Sequence, residues 1–183
     1  MHIVTRRAFG KLSTTIAAFA LGLIFTLAGF AASAAESGNE ARPAQDDKLQ
    51  SEFLLDLTLE VQTPQNLGSV GGGRLIVPVS GGTFAGPRLK GTIIPPGGDW
   101  IVQRPDGSRI LDVRILLQTD DGQKIYVSWG GIASASPGGT LNARILPIFE
   151  TAAAKYAWLN NVVAVGVYRP DLGKIAYRIY RIL

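Results

Sequence analysis

The sequence predicts an all-β domain of antiparallel strands, folded as a sandwich or a barrel. From Phe53 onward, apolar residues recur at every second position in several segments, which places one set of side chains on each face of a strand. Short Gly- and Pro-rich turn signals separate these segments, as is typical of all-β folds. Residues 150–158 alone are rich in helix formers and predict one short helix.

The alternating segments and the turn signals follow one another along the chain. The apolar positions of the predicted strands are Phe53, Leu55, Leu57, Leu59 and Val61, then Leu75, Val77 and Val79, then Leu111, Val113, Ile115 and Leu117, and finally Ile175, Tyr177 and Ile179. The predicted turns are residues 71–73, 81–82, 95–98, 105–107, 120–122 and 170–173. The Gly clusters are interpreted as turns or bulges, because none has the Lys-Ser/Thr ending of a phosphate-binding loop.

The turn at residues 120–122 allows the register of one hairpin to be predicted. A three-residue loop with Gly122 in the left-handed conformation pairs Thr119 with Gln123, and it then places Arg114 opposite Ser128. In this register the polar residues of both strands share one face, whereas a two-residue loop would scramble them. The other face carries Leu111, Val113, Ile115, Val127 and Trp129.

The first 35 residues have the layout of a cleavable export signal. A twin arginine, Arg6-Arg7, precedes an apolar run over residues 16–32, and small residues follow at 32–34. We therefore expect the export machinery as a partner and a periplasmic or secreted protein. The alternative is an inner-membrane anchor formed by residues 16–32, which are at the lower limit of length for spanning a hydrocarbon core of roughly 30 Å.

Two further boundaries follow from composition. Residues 36–50 are polar and charged without an apolar period, and they predict a disordered linker. Residues 51–183 are long enough to form one domain with a substantial core.

Cleavage of the leader narrows the chemistry of the exported chain. It removes Met1 and His2, the only Met and the only His, and the chain has no Cys. A Ser-His-Asp triad, a thiol nucleophile and the usual zinc sites are therefore excluded. No dinucleotide-binding fingerprint is present, and we expect neither a cofactor nor a metal.

The basic character of the chain also comes mainly from the leader. Removing Arg6, Arg7 and Lys11 from the 18 basic residues leaves 15 against 14 acidic ones, a net charge of +1. Without a basic surface, nucleic-acid binding has no electrostatic basis, so no nucleic-acid partner is expected.

A series of short motifs resembles the family catalogued as domain of unknown function 3237, in order and spacing, over residues 51–183. The motifs are GGTFAGP at 81–87, LKG at 89–91, PGGDW at 96–100, Arg104, DG at 106–107, LDVR at 111–114, TDDG at 119–122, IY at 125–126, FET at 149–151 and YAWLN at 156–160. The resemblance implies an antiparallel β-barrel of lipocalin-like, calycin-type shape. It implies little about activity, since fold alone does not fix function.

A small barrel either fills its interior or leaves a pocket at one mouth. The residues that we expect in a polar interior cluster are Asp99, Asp112, Arg114, Tyr126, Arg144, Trp158 and Asn160. Asp112 or Asp99 is the expected base and Tyr126 the acid or oxyanion donor. Arg114 and Arg144 would hold a carboxylate, with Trp158 and Asn160 completing a ligand site and Trp100 and Trp129 adding to an aromatic wall. The alternative is that Asp112 and Arg114 form a structural ion pair or lie on a solvated outer face.

Two functions are consistent with this residue set. The first is binding of a small, partly apolar or carboxylated ligand without turnover. The second is a cofactor-independent lyase or isomerase that uses Asp, Tyr and Arg side chains. A structural or protein-binding role, as a homodimer through exposed strand edges, is a third possibility.

Overall fold

The computed structural model describes residues 48–69, 72–135 and 141–183. The predicted leader, and residues 36–47 of the predicted linker, lie outside the described residues. Residues 48–50 are exposed and have no regular secondary structure. Within the described ranges, no helix has both the length and the hydropathy needed to cross a membrane.

The described chain forms a closed antiparallel β-barrel, so the predicted all-β fold is confirmed as a barrel. The elements are β1 (Ser51–Val61), β2 (Gln65–Asn66), β3 (Gly73–Ala85), β4 (Lys90–Gln103), β5 (Arg109–Thr119), β6 (Lys124–Ala135), β7 (Leu141–Glu150), a 3₁₀ helix (Ala154–Asn161), β8 (Ala164–Tyr168) and β9 (Ala176–Ile182). Eight strands close the barrel in the order β1-β9-β8-β7-β6-β5-β4-β3, and the two-residue β2 adds to β3.

The barrel closes where β1 meets β3. The strand β1 pairs with β9 on one side and with β3 on the other, with Leu57 opposite Phe84 and Leu59 opposite Gly82. Each of the eight strands thus has a neighbour on both sides. A homodimer through strand edges stays a prediction, although closure leaves few free edges for it.

The hairpin of β5 and β6 has the register that the sequence predicts. The Thr119 amide donates to the Gln123 carbonyl at 2.9 Å, and Gly122 has a φ of 79°. Arg114 lies opposite Ser128. Turn chemistry and side-chain sorting favour the same register. In this register the apolar face of the hairpin lines the barrel interior.

Two of the segments predicted as turns are bulges, which is the other alternative given for the Gly clusters. Residues 81–82 lie inside β3 and residues 95–98 lie inside β4, and the pairing register shifts at both places. These are β-bulges, which bend a long strand around the barrel and use Gly for the same conformational freedom that a turn needs. The predicted turns at 105–107, 120–122 and 170–173 are confirmed.

The short helix begins later than the sequence predicts. Glu150 is the last residue of β7, and the 3₁₀ helix runs from Ala154 to Asn161. Its Tyr156 and Leu159 side chains are buried. They close the end of the barrel at which β5 finishes.

The carboxylate of Asp121 fastens this helix to the β5–β6 turn. It accepts hydrogen bonds from the Lys155 ammonium, the Thr119 hydroxyl and, at 3.0 Å, the Tyr156 hydroxyl. These bonds, with Lys155 contributing most, lower the pKa of Asp121 to about 2. The helix end of the barrel is therefore held shut by both packing and polar contacts.

The core fills this closed half of the barrel with large side chains. Phe84, Phe149, Leu117, Ile125 and Leu159 are almost completely inaccessible to solvent. The dense packing stops short of the opposite end, where β5 begins, and a cavity takes its place there.

We predict that Gly82→Ala destabilises the barrel more than Gly68→Ala. Both glycines have positive φ, 139° and 87°, but a Cβ on Gly82 would collide with the Thr58 carbonyl of β1, whereas a Cβ on Gly68 meets nothing. The expected losses are about 3 kcal/mol or more for Gly82→Ala and about 1 kcal/mol for Gly68→Ala, measured by urea denaturation. Equal losses would mean that barrel closure does not depend on this close approach.

Candidate functional site

The barrel interior contains a cavity of about 460 Å³ at the end opposite the helix. Its walls come from the inward faces of several strands, and its rim comes from the segment after β1 and the loop between β8 and β9. The lining residues are Leu59, Val61, Gln62, Thr63, Pro64, Val77, Val79, Asp99, Ile101, Arg109, Val113, Trp129, Lys174, Ile175 and Tyr177. The walls are mainly hydrophobic, as in pockets for small organic ligands.

Asp99 is the carboxylate among these lining residues. It lies on β4 opposite Val113, whose side chain is buried inside the barrel, and its Oδ1 accepts a hydrogen bond from the Asp112 backbone amide at 3.1 Å. Burial raises the pKa of Asp99 to about 6, although that hydrogen bond favours the charged form. A carboxyl group that gains and loses its proton near neutral pH is suited to proton transfer.

Tyr177 and Trp129 place two further polar groups beside the hydrophobic wall. Both side chains are buried, and their rings meet edge to face with centroids 6.0 Å apart. Burial, and then the charge of Asp99, raises the pKa of the Tyr177 hydroxyl, which therefore stays protonated and able to donate. The buried Trp129 Nε1 finds no acceptor in the described part of the chain.

The rim of the cavity is polar and partly cationic. Arg109 begins β5 and Lys174 lies in the loop between β8 and β9, and both side chains are exposed. Gln62 and Thr63 follow β1 and are exposed as well. The cavity thus changes from a hydrophobic interior, with Asp99 and Tyr177 in its wall, to a charged entrance.

The expected interior position of Asp112 and Arg114 is wrong. Both side chains project from the outer face of β5 and are about half exposed, at 51% and 50%, with 3.1 Å between Asp112 Oδ1 and Arg114 Nη1. The Arg114 guanidinium also lies 5.5 Å from the ring centre of Trp100. The outer-face ion pair is therefore the correct alternative, because Leu111 and Val113 occupy the inward positions.

Tyr126 and Arg144 also lie outside the cavity, contrary to expectation. Tyr126 alternates with the buried Ile125 and Val127, so it takes the outward position on β6. Arg144 is exposed on β7, where its guanidinium donates to the Asn142 side chain and to the Ala143 carbonyl.

Trp158 and Asn160 belong to the closed end of the barrel. The Arg88 guanidinium stacks 3.7 Å from the ring centre of Trp158. The Asn160 side chain accepts from the Thr151 amide at 2.8 Å and donates to the Thr151 carbonyl at 3.0 Å. These contacts position the 3₁₀ helix, so neither residue lies in the interior cavity where the polar cluster was expected.

Of the residues expected inside, the structure places Asp99 and Trp129 in the cavity, and it adds Tyr177, Arg109 and Lys174, which the sequence did not single out. Tyr177 carried a usable signal, since it lies two positions from Ile175 and from Ile179 and so shares their face of the strand. Arg109 and Lys174 gave no such signal, because rim positions depend on how the loops fold.

Metal ligands are sparse across residues 48–69, 72–135 and 141–183. No group of three or more His, Cys, Asp or Glu side chains in these ranges is close enough to hold a metal ion. The described lining residues offer one carboxyl group, one phenol, one indole N–H, the Gln62 amide, the Thr63 hydroxyl and two cations at the rim.

The chain is similar in sequence and in fold to known proteins. The family model described as "Protein of unknown function (DUF3237)" matches residues 49–182. A β-barrel-like protein of Acinetobacter baumannii AYE is 36% identical in sequence, with a TM-score of 0.68 over 74% of this chain and 96% of that one. A UPF0311 protein of Clostridium acetobutylicum is 29% identical over 64% of this chain and 84% of its own length.

One relative has a named activity. A hydroalkoxylation enzyme of Penicillium herquei is 37% identical over 103 residues, which cover 56% of this chain and 61% of the relative.

We predict that Asp99→Asn stabilises the protein at pH 8 and that the gain disappears below about pH 4. The folded-state pKa of Asp99 is raised from 3.8 to about 6. The protein therefore loses stability as the pH rises through this interval, and above it the charged carboxylate continues to lower the free energy of unfolding. Removing the charge should raise the free energy of unfolding by about 1–2 kcal/mol at pH 8, measured by urea denaturation. The outer-face control Asp112→Asn should show no comparable gain, and a pH-independent effect of Asp99→Asn would contradict the assignment.

Proposed function

The chain belongs to the family described as "Protein of unknown function (DUF3237)", and on this premise we propose that its barrel is an enzyme for a small, largely apolar molecule. Asp99 is proposed as the group that transfers the proton. The observation that carries the proposal is a carboxyl group with a pKa of about 6 in the wall of a hydrophobic cavity. The named activity of the Penicillium herquei relative supports it.

The reaction class that suits this site is addition of a hydroxyl group across a carbon–carbon double bond, or the reverse elimination. In the addition, the Asp99 carboxylate takes the proton from the substrate oxygen, and that oxygen forms a bond to one alkene carbon. The π bond breaks, and the second carbon receives the proton that Asp99 holds. Atoms and charge balance, and Asp99 returns to its starting form, so the step needs no further reactant.

Tyr177 is proposed to assist by donating a hydrogen bond. Its hydroxyl forms no hydrogen bond to another described residue, and it stays protonated because of burial and the nearby Asp99 charge. A donor in a hydrophobic cavity stabilises negative charge that develops on a substrate oxygen more strongly than water would. Trp129 Nε1 is a second donor that would gain from an oxygen acceptor on the ligand.

The second candidate function is binding without turnover. The mainly hydrophobic wall and the unpaired indole N–H of Trp129 favour it, because both would hold a ligand whether or not a proton moves. The two candidates share the cavity and differ only in whether Asp99 takes part in a reaction.

We predict that the protein cyclises members of a panel of 2-allylphenols in D₂O and places one deuterium on carbon, detected by chromatography and mass spectrometry. Asp99→Asn should lower turnover by about 100-fold or more, whereas the outer-face variant Asp112→Asn should stay within about twofold of the wild type. Turnover should rise with pH through about 6, as Asp99 loses its proton.

Three results would count against this enzyme. Full turnover in Asp99→Asn would exclude Asp99 as the proton carrier. Cavity binding of the panel without any product would leave the binding function. Absence of both binding and product would remove the proposed substrate class.

Export of the protein is a further part of the proposal, supported by Arg6-Arg7 and the apolar run over residues 16–32. In a bacterium with a periplasm, the intact mass of the periplasmic protein should correspond to cleavage near Ala34. The variant with Arg6→Lys and Arg7→Lys keeps the charge and should accumulate as cytoplasmic precursor. Unchanged export would favour the ordinary secretory route over the twin-arginine pathway. An uncleaved, membrane-bound chain would favour the membrane anchor formed by residues 16–32.

A further inference from the structure

Two cations stand at the entrance of the cavity without a counter-ion in contact. Arg109 and Lys174 line the same cavity as Asp99, and neither side chain forms an ion pair or a hydrogen bond within the described ranges. Some other arginines of the barrel are neutralised by carboxylates, as in the bidentate pair of Arg178 with Asp56 and the pair of Arg181 with Glu52. The mouth is thus one place where described positive charge is left unmatched.

The balance of charge in the lining is positive. Among the described residues that line the cavity, Asp99 is the only acidic one, against the two cations. Arg109 and Asp99 line the same cavity but form no ion pair within 4.0 Å among the described side chains, so the carboxylate does not neutralise this cation by direct contact. Because low-dielectric walls focus the field of charges at a cleft, an anion at this entrance is attracted.

We propose that Arg109 and Lys174 form an anion-binding subsite, and that the ligand is an amphipathic organic acid. Its apolar ring or chain would fill the cavity, and a single carboxylate or sulfonate group would remain at the mouth. This inference rests on the proposed function, since it takes the same cavity as the ligand site, and it adds the chemical class of the ligand.

The hydrophobic and the charged parts of such a ligand act at different depths. The cavity wall around Val79, Val113 and Trp129 excludes water and would take the apolar part. The exposed rim cations would keep the anionic group partly hydrated, which avoids the cost of burying a charge. The orientation this gives places the apolar body, and not the acid group, next to Asp99.

The test uses two fluorescent dyes with the same aromatic skeleton. 8-Anilinonaphthalene-1-sulfonate carries one sulfonate, and N-phenyl-1-naphthylamine lacks it. With the full chain, we expect the wild type to bind the sulfonate dye more tightly than the neutral dye. The double variant Arg109→Gln, Lys174→Gln should weaken the sulfonate dye by about tenfold and change the neutral dye by less than about twofold.

The matched control removes two positive charges far from the mouth. Lys90 and Lys124 are exposed near the closed end, so Lys90→Gln with Lys124→Gln changes the net charge equally. This control should leave the ratio of the two affinities unchanged. An equal loss in both double variants, or an unchanged ratio in the mouth variant, would overturn the anion subsite.

A separate variant identifies where the dyes bind. Val61→Trp, at a partly buried position of the lining, should weaken both dyes by filling the cavity, and thermal unfolding checks that the variant folds. Dyes that bind Val61→Trp as tightly as the wild type occupy another surface, which would overturn both the subsite and the cavity as the ligand site. Loss of both dyes in Val61→Trp with an unchanged affinity ratio in the mouth variant overturns the subsite alone.

Discussion

The pairing of β1 with β3 is the interaction on which the cavity depends. It joins the two edges of the sheet, and it requires the backbone of β3 to approach the Thr58 carbonyl so closely that only a glycine fits at position 82. An eight-stranded barrel closed in this way has an interior just wide enough to be filled by side chains or to hold one small ligand. This barrel does both, with a packed half beneath the 3₁₀ helix and an open half around Asp99.

The hydrophobic interior that closure creates also sets the chemistry of Asp99. The same removal of water that stabilises the core disfavours a charged carboxylate and raises the pKa of Asp99 to about 6. The outer-face Asp112, only one strand away, lies in solvent beside Arg114. Two acids in one sequence neighbourhood thus differ in character because one points inward and the other outward.

The sequence determined the local parts of this fold better than the global ones. The β5–β6 hairpin was predictable because Gly122 and the sorting of side chains favour one register, and both lie within about twenty residues. The glycines at 81–82 are compatible with either a turn or a bulge, because both use the same residue type, and only the partner strand distinguishes them. Of the cavity lining, Asp99 and the aromatic wall residue Trp129 were predictable from the sequence. Asp112 and Arg114 share their face of β5 with polar residues. Period two identifies which residues share a face, and the face with the apolar Leu111 and Val113 is the one buried inside.

Among the described residues, the helix and the Asp121 cluster close one end of the barrel, and the cavity opens at the other end. A molecule that occupies the cavity therefore blocks the route by which the next one would arrive, and entry must wait for departure. For a catalyst of this shape, the compound formed competes directly with the compound consumed, and the slowest event in a cycle can be escape through the mouth instead of bond making. For a binding protein of the same geometry, the contacts that the ligand makes at the rim would determine how long it stays in the cavity.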